Sequence, residues 1–359
     1  MIRGAFRAVF ATVAIASVIT ALPVKSQVSS ARQVLQPIDS VRVEETAALQ
    51  VSRVGEVAVS ITRTFIADPA EWRVLEVSRT GKIVRAFGRR GQGPGEFETP
   101  GSLVVAGDEL MVMDFSLRRI SVFSLVSGKL VRTFPLNAFL PSLVFRGDEL
   151  YAAAFDVTSK TSVVRLSPKG ELIGREGVIP AIAQRFPALL DPFPHQGLAV
   201  EPTSVHMVSE LANSLYSWPR GGGRITETRI PTLRRRGAND AKFEQMVREP
   251  QKAGAIAYDH TVPVALSLLA DRVLGMVSYD PVVKQGRFSG QYHLTVIDLA
   301  SRRACPDVPL PVPADPLARV AIESSRVTVV QQSESGGDAV TTIRRFRVNT
   351  AACAWVALP

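Results

Sequence analysis

The feature that most constrains this chain is a succession of short apolar runs, each ended by a turn signal before it can grow long. The stretch after Gly88 shows it most plainly. A glycine-rich loop (Gly88, Gly91, Gly93, Pro94, Gly95) leads into the apolar run Ser102 to Ala106. Gly107-Asp108 marks a tight turn, and Leu110 to Met113 forms a second run. Arg119 to Phe123 then alternates polar with apolar residues, and Ser127-Gly128-Lys129 turns the chain into Leu130 to Phe134. Strand, tight turn, strand, loop, strand, turn and strand make an antiparallel meander.

The same pattern recurs along the chain, with units near 46–88, 102–136, 142–178, 197–231, 264–311 and 319–359. In the first unit the strands read as Ala48 to Ser52, Glu56 to Ile61, Arg73 to Val77 and Lys82 to Phe87. In the last, Cys353 to Leu358 reads as the outermost strand. Asp39 to Glu45 is a further strand candidate that can add to the last unit and close a ring. Each sheet carries apolar residues on both faces, as expected when neighbours stack on it. The expected fold class is all-β: a six-bladed β-propeller of four-stranded antiparallel blades, with a short helix in a long loop on one face. Radial repetition of this kind protects sheet edges. A two-sheet sandwich or two β domains is the competing architecture.

The second unit also carries a resemblance. Gly91, Gly93, Pro94, Gly95, Glu96, Phe97, Pro100, Asp114, Arg119, Ile120 and Phe123 stand in the order of one NHL-type repeat. The family usually has Asn shortly before the Arg-Ile pair, where this chain has Leu117 and Arg118. The resemblance implies an NHL-like propeller and is silent on activity. It also implies that Asp114 partners loop amides. Related lactonase-like hydrolases hold a cation in the central channel.

The N-terminus has the pattern of an export signal. Arg3 and Arg7 precede the apolar stretch Ala8 to Leu22, and Val24-Lys25-Ser26 offers small residues for cleavage before Gln27. The stretch is short for a membrane span, although an uncleaved anchor is the alternative. Residues 1–26 are therefore read as a signal peptide and 27–45 as an N-terminal segment. The product is expected in the periplasm or secreted, as a monomer. The formal net charge is +9, of which Arg3, Arg7 and Lys25 would leave with the signal. A modest positive excess fits an anionic partner such as a polysaccharide, or simply a solvated surface. Export and the lack of a nucleic-acid motif argue against nucleic acid. The chain has 2 cysteines, Cys305 and Cys353. Repeat phase places both near the start of outermost strands in adjacent units, where strands diverge. That argues against a disulfide. Without nearby histidines they do not make a zinc site.

With strands named a to d from the axis outward, the a–b and c–d turns are short. The long connections are of the d–a or b–c type, which emerge on one face of a meander. Long loops on a rigid scaffold are where binding usually sits. Four such connections stand out: 89–99, 179–196, 232–263 and 280–291. The third holds Arg234, Arg235 and Arg236, then a helix over 238–248 read as a lid. With Arg89 and Arg90, these arginines can form a patch for carboxylates, sulfates or phosphates; a solvated charge run is the plainer reading. The GQGPGEF loop lacks a phosphate-loop Lys-Ser/Thr pair and leads into a strand, so its glycines serve the turn. Asp114, Asp156, Glu210 and Asp280 recur near b-strand ends and are the candidates for a hard cation such as Ca²⁺. His195 and His260 lie on long loops near Asp191 and Asp259, without an accompanying hydrolase motif. The function these features point to is non-catalytic binding of a protein or an anionic glycan through the loop-rich face. A cation-dependent hydrolase or lyase working in the channel is the alternative.

Overall fold

The structure, a computed structural model, describes residues 31, 33–136, 142–156, 158–185, 196–212, 214–231, 240–249, 261–284, 287–313, 318–335 and 338–359. Six antiparallel sheets form a ring of blades. Blade 1 is β2 (Val57–Val59), β3 (Arg63–Asp68), β4 (Arg73–Ser78) and β5 (Ile83–Phe87). Blade 2 is β6 (Pro100–Ala106), β7 (Glu109–Asp114), β8 (Arg119–Ser124) and β9 (Leu130–Pro135). Blade 3 is β10 (Ser142–Arg146), β11 (Glu149–Asp156), β12 (Thr161–Leu166) and β13 (Leu172–Glu176). Blade 4 is β14 (Gln196–Val200), β15 (Ser204–Ser209), β16 (Ser214–Pro219) and β17 (Thr226–Arg229). Blade 5 is β18 (Val262–Ala270), β19 (Val273–Lys284), β20 (Arg287–Asp298) and β21 (Arg303–Pro309), with β25 (Val356–Ala357) added outside. Blade 6 is β22 (Arg319–Glu323), β23 (Arg326–Ser335) and β24 (Asp338–Val348), and its outermost strand is β1 (Leu35–Arg42) from the other end of the chain.

The near-continuous apolar runs follow from this stacking. Successive residues of a strand point to opposite faces, and here each face meets a neighbouring blade. On β7, Leu110 and Val112 pack with Phe65 and Phe87 of blade 1, while Met111 and Met113 pack with Leu150 and Ala152 of blade 3. Each pair of adjacent blades shares a core of this kind, down to the closing pair, where Ile66 and Leu75 of blade 1 meet Val330 and Ile343 of blade 6. The outermost strands see a neighbour less fully, and Val84, Val131, Leu172 and Ile173 are exposed there.

Two strand assignments read from the sequence are corrected. Ala48 to Ser52 is not a strand of blade 1, whose innermost strand is β2. Val51 and Val54 are buried against the blade 6 interface, and the Ser52 and Arg53 amides are held by the Asp68 carboxylate rather than by a strand. Cys353 to Leu358 does not complete blade 6. That place is filled by β1, which pairs with β24 from Leu35↔Val348 to Arg42↔Thr342. The tail folds back onto blade 5 instead, where β25 pairs with β21 through Ala304↔Val356 and Arg303↔Ala357. The closing strand expected near 39–45 is thus present, over Leu35–Arg42.

The export signal expected over 1–26 lies outside the described residues. Among the described residues no helix is long and apolar enough to cross a membrane.

Candidate functional site

The two faces of the ring differ in what the chain places on them. On one face, two-residue turns such as Gly107-Asp108, Gly147-Asp148 and Asp271-Arg272 join strands a and b. On the other emerge the b–c and d–a connections. There the b and c strands of blade 5 run 12 residues each, and those of blade 6 run 10 and 11, against 6 in blades 1 and 2. The extra length forms two hairpins that extend past the rest of the ring. The same face carries α1 (Ala181–Arg185) and α2 (Asp240–Arg248), the latter within the span expected to be helical. The two helices are tied by Arg185 to Glu244 at 2.6 Å, and Met246 of α2 is buried.

Between the faces runs a central channel of about 820 Å³ lined by the innermost strand of each blade. Arg146, Glu201, Asp271 and Glu323 line it where β10, β14, β18 and β22 reach the short-turn face. At the opposite end of the lining, Glu56 is 3.8 Å from Arg319. Burial pushes the Glu323 carboxyl up, against the nearby positive charge of Arg326.

The candidate residues separate once placed. Asp114 is fully buried and accepts three backbone N–H bonds, from Glu98 at 2.7 Å, Thr99 at 3.1 Å and Leu117 at 2.9 Å. Asp156 accepts from the amides of Thr158 and Ser159 and pairs with Arg175 at 3.2 Å. Glu210 is buried just beyond β15. Asp280 takes the Thr261 hydroxyl and lies 3.5 Å from His293 Nδ1. The partners found for Asp114, Asp156 and Asp280 belong to each residue's own blade or the connection entering it. Among the described residues no three carboxylate, imidazole or thiol groups come together to hold a metal ion. Asp68, which the shifted reading of blade 1 concealed, repeats the role of Asp114 by accepting from Ser52 and Arg53.

The glycine-rich loop is braced from within. Arg119 donates to the carbonyls of Gln92, Gly93 and Glu96, and Glu96 accepts from the Gly93 amide and from Arg89 at 2.9 Å. These bonds hold the Glu96 carboxyl below its ordinary range, the Gly93 amide foremost. Gly88 has φ +79°, and a Cβ there would meet the Phe97 ring at 2.2 Å, so only glycine fits. Arg89 is thus engaged by Glu96, and Arg90 stacks on Trp72 at 4.6 Å. Arg234, Arg235, Arg236, His195 and His260 lie outside the described residues.

One buried network was not anticipated. Glu201, Ser204 and His206 flank the a–b turn of blade 4, with Ser204 and His206 two apart on one face of β15. Glu201 accepts from the Ser204 hydroxyl at 2.7 Å and the Arg272 amide at 2.9 Å, and is 3.1 Å from His206 Nε2. His206 Nδ1 meets the Ser217 hydroxyl at 2.8 Å. Burial pushes His206 below its ordinary value despite the carboxylate beside it. Burial acts to raise Glu201, but the bonds from Ser204 and His206 prevail and hold it low. The spacing Glu201-x-x-Ser204-x-His206 was visible in the sequence, but nothing there marked it as buried.

The class this geometry defines is a six-bladed β-propeller, and comparison with known proteins agrees with that fold. A family model, DUF5128, described as a 6-bladed beta-propeller, matches residues 21–166. A structure of a protein from Bacteroides fragilis described as exported is similar at TM-score 0.56 and 12% identity, over 88% of this chain and 96% of that one. A member of the DUF4221 family from Bacteroides vulgatus is similar at TM-score 0.60 and 7% identity, over 88% of this chain and 98% of that one. At such identities the likeness is one of fold. No curated protein matches the chain significantly.

Proposed function

We propose that this chain is an exported, non-catalytic binding propeller that engages a protein partner through the face bearing the extended hairpins. The observation that carries this reading is the asymmetry of the ring. The short-turn face is built from short turns, several of them of two residues, while the b and c strands of blades 5 and 6 gain length only toward the other face. A rigid scaffold that displays projecting elements on one side is the usual arrangement of a binding module. Arg89 and Arg90 are exposed but already engaged, by Glu96 and by the Trp72 ring, which favours a protein over an anionic glycan as the partner. Export to the periplasm or beyond rests on the N-terminal signal pattern and on the exported description of the Bacteroides fragilis neighbour. The NHL-type character of blade 2 is supported by Asp114 gathering loop amides and Arg119 bracing the loop.

The test uses the full chain and a variant in which residues 281–290 are replaced by a two-residue turn, shortening β19 and β20 to eight residues each, closer to the six of their counterparts in blades 1 and 2. Cross-linking in the exported fraction of the native cell, read by mass spectrometry, should recover one partner with the full chain and lose it with the variant. The variant's Tm should stay within a few degrees of the original. Recovery unchanged by the trimming would overturn the assignment of the face. Retention on sulfated or carboxylated polysaccharide that disappears at high salt, with no protein recovered, would replace the protein partner by a glycan.

A further inference from the structure

We infer that Cys305 and Cys353 form an intramolecular disulfide that fastens the C-terminal tail to blade 5 and closes a covalent loop around three strands of blade 6. Repeat phase had set the two residues apart on diverging strands. The structure brings them together because the tail is displaced by β1 and returns to the outer edge of blade 5.

Several contacts hold the tail in place independently of the cysteines. Asn349 donates its amide to Val34 at 2.8 Å, a turn of 3-10 helix follows at Thr350–Ala352, and β25 pairs with β21 immediately beyond. Leu358 donates to Arg302 at 2.9 Å, and the Arg303 guanidinium lies 4.3 Å from the Trp355 ring. Cys305 is 2% exposed in the core shared by blades 5 and 6, and Cys353 packs against that core. The two sulfurs are within hydrogen-bonding reach, and both are thiols in this structure. The hydrogen bond from Cys353 holds the Cys305 thiol below its ordinary range, and the same bond pushes Cys353 up.

The chemistry assigns a role to each sulfur. Cys353 is half-buried and Cys305 fully so, so an external disulfide donor reaches Cys353. Cys353 passes its proton to the Cys305 sulfur it is hydrogen-bonded to and attacks a donor sulfur, forming a mixed disulfide and releasing one donor thiolate, which takes that proton from Cys305. The Cys305 thiolate then attacks the Cys353 sulfur and releases the second. The protein gives up two protons and two electrons, and the donor leaves as two thiols. An exported chain meets such donors. The closed loop runs from 305 to 353 and includes β22, β23 and β24, so the bond limits the freedom of that segment when unfolded.

The test takes the purified full chain, exposed to oxidised glutathione and then denatured. Titration should find no free thiol. Tryptic digestion without reductant should give peptides 304–319 and 348–359 joined, two hydrogens lighter than their sum. Reduction should lower the Tm by about 5 °C or more. The Cys353→Ser variant, altered at the more accessible position, should melt with the reduced protein whether or not reductant is present. Two titratable thiols after oxidation, a disulfide-linked dimer, glutathione retained on both cysteines, or equal Tm values for oxidised and reduced protein would each overturn the inference.

Discussion

At the scale of single residues, the carboxylates of this chain organise backbone more than they offer chemistry. Asp114, itself buried, accepts from three half-buried amides of the loops that flank its strand. Asp114→Ala should cost about 2–4 kcal/mol, since each unsatisfied buried donor costs about 1–3 kcal/mol. Chemical denaturation measures this, and the loss should be the same with Ca²⁺ or with a chelator present. A loss that appears only when Ca²⁺ is available would restore the cation reading. His206 sets a pH dependence. Its folded value lies below its unfolded value near 6.5, so the unfolded chain takes up a proton that the folded chain refuses. Stability should therefore be fully present above pH 6.5 and decline as pH falls through that value. Glu201, held low, adds a second decline at more acid pH, below the ordinary carboxylate range. Denaturation midpoints at pH 8, 6.5 and 5 should fall for the native chain and fall less steeply for His206→Gln; parallel profiles would rule the pair out as the source. Much of this was out of reach of the sequence. The amide-binding role of Asp114 was suggested by the repeat it resembles, and the turn role of Gly88 by composition. The Glu201–His206 network was not legible, because burial depends on the neighbouring blade. Arg118, which with Leu117 stands where the resembled repeat usually has Asn, has a φ of +48°, in the region where Asn is tolerated better than most residues.

At the scale of elements, the critical strand is β1. It is bolted by Arg345 of β24, whose guanidinium meets Asp39 at 2.9 Å, the Arg79 carbonyl at 3.1 Å and the Thr64 hydroxyl at 3.4 Å. One buried side chain thus joins the closing strand, its neighbour and blade 1. Arg345→Met keeps the length of the side chain and leaves Asp39 without its closest partner. It should destabilise the fold by about 1.5–3 kcal/mol, the range for losing a hydrogen bond to a charged group, because Asp39 is only half-buried and keeps Arg79 nearby. Asp39→Asn should cost less, since a neutral acceptor remains for the guanidinium. Urea midpoints for the two variants test the order, and the reverse order would place the weight of the closure elsewhere. Strands bounded by Gly-Asp or Ser-Gly-Lys turns were read correctly because the turn fixes the register locally. Ala48 to Ser52 misled because its apolar residues do enter a core, but as a loop whose amides are capped by Asp68. The last unit misled only in its tail: the closing strand was expected from the N-terminal side, but Cys353 to Leu358 was also counted in the blade, and local pattern does not say which candidate takes the edge.

At the scale of the whole molecule, the blades do not have private cores. Each is stable only through its neighbours, so the ring is complete or it is exposed at two edges. This separates the tasks of the two faces. The short-turn face carries little beyond the turns themselves, while the extended hairpins of blades 5 and 6 can change without disturbing the interfaces beneath. The closure by β1 also sets a timetable. Asp39 and Arg345 are 306 positions apart, so β1 has no partner until β24 has been made. Contacts of such long sequence separation are slow to form. Through that interval Leu35, later wholly buried, stays in water. The slowest and most aggregation-exposed step in the life of this chain is therefore the meeting of its two ends. A chaperone that shields Leu35–Arg42 until β24 is available would do more for its yield than one that acts on the locally paired blades.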